Sequence, residues 1–183
     1  MEQTIQDIKR ELRANMNGIA SKAMRDAGMP YHVIWGIELP RLQTIATQFP
    51  RDRHLAQQLW NENVRESRLL AIMLTPPEQF LPEVAEIWAH EFKTTEEASL
   101  MAMQLICPQK WATTFAFGQI ARGEYLPSLC GWLTLCRLLR QGNTLMPRSR
   151  QELLDHAAST AADAPLPLRK AIQATTTQLS QDR

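Results

Sequence analysis

Apolar residues recur along this chain every three or four positions, and no stretch alternates cleanly with a period of two. That spacing predicts amphipathic helices rather than strands. Ile5, Ile8, Leu12 and Met16 mark one face of a first helix, which Gly18 interrupts or kinks. Leu39, Leu42, Ile45, Ala46 and Phe49 mark the next strong face. Leu55, Leu59 and Trp60 follow, then Val64, Leu69, Ile72 and Met73, then Phe80, Val84, Ile87 and Trp88. The chain has 11 prolines, all at or near the edges of these patterns. Proline fits the first helical turn and breaks an interior, so this placement implies helix after helix. Thr94-Thr95-Glu96-Glu97 and Ser149-Arg150-Gln151-Glu152 have the form of capping boxes and predict two helix starts, the first helix running through Ile106.

The pattern predicts about ten helices of roughly 10–18 residues, joined by short connections. They pair naturally into about five antiparallel hairpins of roughly 40 residues each, an all-α, HEAT-like α-solenoid. A globular helical bundle is the alternative. The segments Ala98–Cys107 and Ser128–Leu139 are almost wholly apolar, and such helices are buried on all sides.

The size of 183 residues, with 44% hydrophobic and 21% charged, fits a single soluble domain spanning 1–183. The net charge of +1 gives no global basic excess for gripping nucleic acid. Three cysteines, Cys107, Cys130 and Cys136, lie in apolar surroundings and read as reduced thiols, not a disulfide framework. The N-terminal residues carry acids and no apolar core region, unlike a signal peptide. Uncharged runs such as Tyr125–Cys136 reach only about a dozen residues, against the roughly 20 a bilayer requires. No membrane association is expected, and the cytoplasm is the expected compartment.

Three segments together carry a family resemblance. They are Gly36-Ile37, Pro40, Leu42 and Ile45-Ala46; Leu55-Ala56 and Leu59-Trp60; and Glu66 with Arg68-Leu69-Leu70-Ala71. With the upstream residues Arg13, Met16-Asn17-Gly18, Ser21, Met24-Arg25 and Tyr31, this order resembles the helical-repeat DNA alkylation repair proteins, the alkylpurine DNA glycosylases. The likeness covers about residues 8–90. It implies a HEAT-like fold whose concave, positively charged face holds duplex DNA. It also implies release of N3- or N7-alkylated purines, with an aspartate stabilising the sugar cation and placing water, tryptophans beside the deoxyribose and an arginine near a phosphate. The departing base already carries positive charge, so an anion beside the developing oxocarbenium ion is the main chemical requirement.

This sequence departs from that pattern, since no aspartate lies between Asp52 and Asp155. The corresponding region runs from Lys93 to Met101 and offers only Glu96 and Glu97 as acids. Both suit a first helical turn, where acids complement the dipole and complete a cap, and both remain the catalytic candidates.

Lys9, Arg10, Arg13, Lys22, Arg25 and Arg41 form the densest basic set and are the candidate DNA contacts. Lys9 and Arg13 stand at i, i+4 and could meet phosphates together. A solvated surface neutralised by Asp7, Glu11 and Asp26 is the competing reading. Arg65 and Arg68 have Glu62 and Glu66 nearby and read as ion-paired. Of the five tryptophans, Trp111 stands at a helix edge after Lys110 and is the candidate groove contact; Trp35, Trp60, Trp88 and Trp132 read mostly as core. Tyr31-His32 reads as an exposed loop. Scattered histidines and the absence of a Cys-x-x-Cys leave no metal site, and no cofactor motif is present. The sequence therefore supports a duplex-DNA-binding repair-type protein. The alternatives are a non-catalytic scaffold holding a protein or peptide in its groove, and a glycosylase using Glu96 or Glu97.

Overall fold

The computed structural model describes residues 2–181, and they fold into helices joined by short turns. Two compact units divide the chain, one through Phe80 and one from Leu81. The first holds α1 (Glu2–Ala14), α2 (Gly18–Asp26), α3 (Leu39–Ala46), α4 (Arg53–Trp60) and α5 (Arg65–Leu74), then a short 3-10 turn, Pro77–Gln79. The second holds α6 (Pro82–His90), α7 (Thr95–Met101), α8 (Ala112–Arg122), α9 (Tyr125–Arg140), α10 (Pro147–Thr160) and α11 (Leu166–Gln181). A single turn of π-helix, Ala102–Ile106, continues α7. Cys107 N accordingly donates to Ala102 O, five residues back.

Several helices are shorter than the expected range. α2, α3, α4, α6 and α7 have 9, 8, 8, 9 and 7 residues. Closely spaced stops and starts cut them: Pro40 enters the first turn of α3, and Asp52 caps α4 by accepting from Leu55 N at 2.7 Å. The boundary of the first helix also differs from the pattern. α1 ends at Ala14, so Met16 leaves the face of Ile8 and Leu12 and is 58% exposed. Ile87 likewise faces solvent, while Trp88 beside it is buried.

Core formation follows the apolar pattern. In the first unit Ile8, Leu12, Leu42, Ile45, Leu55, Leu59 and Trp60 are buried, and every residue of α5 is buried. In the second unit α9 packs against α6, α7, α8 and α11, as expected of a helix that is apolar on almost every side. The box at Thr94 caps α7, its hydroxyl accepting from Glu97 N at 3.5 Å. The box expected at Ser149 does not form. Pro147 takes the first helical position, with Met146 as the cap residue, so Ser149 falls inside α10. Arg148 pairs with Glu152 along that helix at 3.0 Å. Among the described residues no helix is long and apolar enough to cross a membrane.

Candidate functional site

The organising group of the first unit is a buried carboxylate. Glu66 is fully buried in the first turn of α5. Its Oε2 accepts from Trp35 N at 3.0 Å, and its Oε1 accepts from Gly36 N at 2.9 Å and Ile37 N at 3.2 Å. Arg65, also buried, donates through Nη1 to Glu66 Oε1 at 2.8 Å and to Ile37 O at 2.9 Å. A charge this deep is tolerated only when paired and hydrogen-bonded, and here one guanidinium and three backbone amides meet it. Arg65 N also donates to Val33 O at 3.1 Å. The loop from Val33 to Ile37 is thereby fixed against α5.

Arg68, next on the same helix, lies over the Trp60 ring, 3.7 Å from its centroid, and donates to Trp60 O at 3.2 Å. Ser67 donates to Glu62 Oε2 at 2.7 Å. The ion pairing expected of Arg65 thus forms with Glu66.

That loop in turn carries α2. Asn17 N donates to Trp35 O at 2.9 Å, and Ser21 Oγ donates to Ile34 O at 2.6 Å. Asn17 also caps the helix, accepting from Ala20 N at 3.1 Å. Gly36 makes the approach possible. Its φ is +74°, and a Cβ there would press into Asn17 O and Ser21 N and come within 3.0 Å of Ser21 Cα.

The six basic candidates all lie in the first unit, on or near this assembly. Lys9 pairs with Glu62 at 2.7 Å, Lys22 with Asp26 at 2.6 Å, and Arg10 with Asp7. Lys9 therefore turns aside to Glu62, while Arg13 stays exposed. Arg25 Nη1 donates to Ser21 Oγ at 2.6 Å, and Arg41 Nε to Asn15 Oδ1 at 2.7 Å. The Arg10, Lys22 and Arg41 contacts face solvent, and an exposed ion pair of this kind is worth only about 0–1 kcal/mol, so it yields readily to a phosphate; the Lys9 and Arg25 contacts are partly covered. Residues 9–25 carry five cations and a single acid, Glu11. The charge that is absent from the chain as a whole is therefore concentrated here. Tyr31 is buried and His32 exposed, so only half of that loop pair meets solvent.

In the second unit Glu97 is buried, and its Oε2 accepts from Lys93 N at 2.7 Å. The carboxylate closes the cap opened by Thr94, reaching one residue further back than a standard capping box. Glu97→Ala is expected to destabilise the protein by about 1–2 kcal/mol in urea unfolding, because it removes a cap and leaves an amide without its acceptor. A change of only a few tenths would mean the cap contributes little. Glu96 is partly exposed in the same turn. Trp111 is half-buried, edge-on to Phe115 with ring centroids 5.8 Å apart.

A polar cluster ties α6 to α8. Glu86 Oε2 accepts from Gln119 Nε2 at 2.9 Å and Arg122 Nη1 at 2.6 Å. Two of the thiols, Cys107 and Cys130, are not activated. Burial pushes the Cys107 thiol up to about 11 despite the Arg137 charge, and pushes the wholly buried Cys130 higher still. Among the described residues no group of three His, Cys, Asp or Glu side chains could hold a metal ion.

Comparison with known proteins places this geometry in a family. The model of the DNA alkylation repair enzyme family matches residues 8–99, just over half of the chain. Among solved structures the chain is similar to a member of a family of proteins related to the HEAT-like repeat DNA glycosylases, with affinity for branched DNA structures. The two share 18% identity at a TM-score of 0.79, over 96% of this chain and 75% of the other. At that identity the likeness establishes the HEAT-like helical-repeat fold. No curated protein matches in sequence. The matched residues include the whole Glu66 assembly and the Glu97 cap, and on that match the chain belongs to the DNA alkylation repair enzyme family.

Proposed function

We propose that this protein binds DNA through the cationic surface of α1, α2 and α3, in the groove that HEAT-like repeats present to a duplex, and that it does not cleave the N-glycosidic bond. The observation that carries this reading is the basic set Lys9, Arg10, Arg13, Lys22, Arg25 and Arg41 in one unit, all exposed but the half-buried Lys9. The affinity for branched DNA of the structurally similar family supports DNA as the partner and makes branched substrates worth including beside duplex. The lack of any aspartate from residue 53 to 154, with Glu97 committed to a helix cap, supports binding without base release.

Labelled duplex and branched DNA should bind the purified protein at low salt. Affinity should fall linearly on a log–log plot against salt, with a slope of about −0.9 per phosphate contacted in duplex. Arg13→Glu combined with Lys22→Glu should weaken binding and flatten that slope by about two contacts. Failure to bind either DNA at low salt removes the proposal and returns the protein or peptide scaffold as the better reading. Release of methylated purine from alkylated DNA, abolished by Glu97→Gln or Glu96→Gln in a folded protein, would overturn the non-catalytic half.

A further inference from the structure

α2 is held in an unusual way. Ser21 is its one buried residue, and its start is fixed by the Asn17 cap, by two hydrogen bonds to loop carbonyls and by the close approach to Gly36. No apolar side chain of α2 is fully buried; Ala20 and Met24 are partly covered. Its largest aliphatic side chain points away from the core: Ile19 is 87% exposed, and Met16, in the turn leading into α2, is 58% exposed. Cations stand around the pair. Arg13 precedes Met16 by three residues, and Lys22 follows Ile19 by three on the same helix face. Arg41 reaches the same turn through Asn15.

We propose that Met16 and Ile19 form an apolar wedge that enters an unstacked base step of DNA, while Arg13, Lys22, Arg25 and Arg41 hold the flanking phosphates. This rests on the DNA-binding reading above. A continuous duplex hides its base faces and offers such side chains no apolar partner. A strand junction or bulge exposes them, and an inserted aliphatic residue recovers contact that stacking no longer supplies. The surrounding positive charge matches phosphates and would repel a basic protein surface. The polar framework under α2 holds the wedge firmly enough to be pushed between bases, which a freely moving loop tip could not do.

The test uses the whole protein, a three-way junction and a continuous duplex of matched nucleotide count, the junction carrying 2-aminopurine at the branch. Wild type should prefer the junction, and 2-aminopurine fluorescence should rise on binding as the wedge holds the branch base out of its residual stacking. Met16→Ser with Ile19→Ser should lower junction affinity at least about tenfold, the equilibrium effect of removing one well-buried aliphatic contact, and abolish the fluorescence rise. Duplex affinity should stay within about twofold. Both side chains are exposed, so the variant's thermal midpoint should match wild type. Equal losses on the two DNAs, or an unchanged junction affinity, would overturn the wedge while leaving DNA binding intact. Wild type that binds duplex and junction equally overturns it too. If the substitutions instead convert a dimer to monomer in sedimentation without altering DNA binding, a second copy of the chain covers the patch and the proposal falls. Binding to neither DNA defeats both this inference and the function it rests on.

Discussion

Glu66→Ala is expected to destabilise the first unit by about 3–5 kcal/mol, the effect of removing one partner from a buried charge pair. The carboxylate accepts from three backbone amides and one guanidinium. Its loss leaves Arg65 charged and buried without its carboxylate partner, with the Trp35, Gly36 and Ile37 amides facing a void. Urea unfolding reads the total, and hydrogen exchange at Trp35, Gly36 and Ile37 reads the local release. Arg65→Met separates the contributions. It removes the guanidinium but leaves Glu66 its three amide donors, so it should cost less than Glu66→Ala. Equal costs would mean that the ion pair, rather than the amide clamp, dominates. Retained amide protection in Glu66→Ala would show that the loop is held by other means.

Gly36→Ala is expected to have the next largest effect. Holding an alanine in the left-handed region costs about 1–2 kcal/mol by itself. The added Cβ would also strike backbone atoms of Asn17 and Ser21, which cannot rotate aside as a flexible side chain could. Gly28 supplies the control. Its φ is +79° and a Cβ there meets nothing within 4 Å, so Gly28→Ala carries only the backbone strain. The excess of Gly36→Ala over Gly28→Ala measures the clash, and it should exceed about 1 kcal/mol, as overpacking of a tight contact does. Equal destabilisation would mean that α2 shifts without penalty. In that case its amides should also lose protection in hydrogen exchange.

Much of this architecture was legible in the sequence. The three-to-four-residue apolar spacing gives the helices, and the almost wholly apolar run from Ser128 to Leu139 places α9 at the centre of its unit. The cap at Thr94 is written locally and forms. What escaped the pattern depends on partners distant in the chain. Gly36 and Glu66 carry the family resemblance, yet nothing in their own neighbourhoods says that one supports an amide cradle for the other. Met16 fits the face of Ile8 and Leu12 by spacing alone. The Asn15-Met16-Asn17 turn ends the helix first, because Asn17 is drawn off to cap α2 and to meet Trp35. Ile19 gave no signal, since an exposed aliphatic residue looks like any other in a helical register. The basic set was visible as a list of charges. Its contacts with Glu62, Ser21 and Asn15 needed the fold.

The Glu66 clamp also constrains the order in which the chain becomes ordered. Its carboxylate lies 31, 30 and 29 residues downstream of the amides it holds. α2 leans on those same residues, so it cannot take its final place until α5 has been made and docked. During synthesis from the N-terminus, α1 and α2 emerge early and wait, with Met16, Ile19 and their neighbouring cations unsupported. A slow step in closing this loop would therefore appear as late protection of α2 amides in pulse-labelled refolding, well after α4 and α5 have paired.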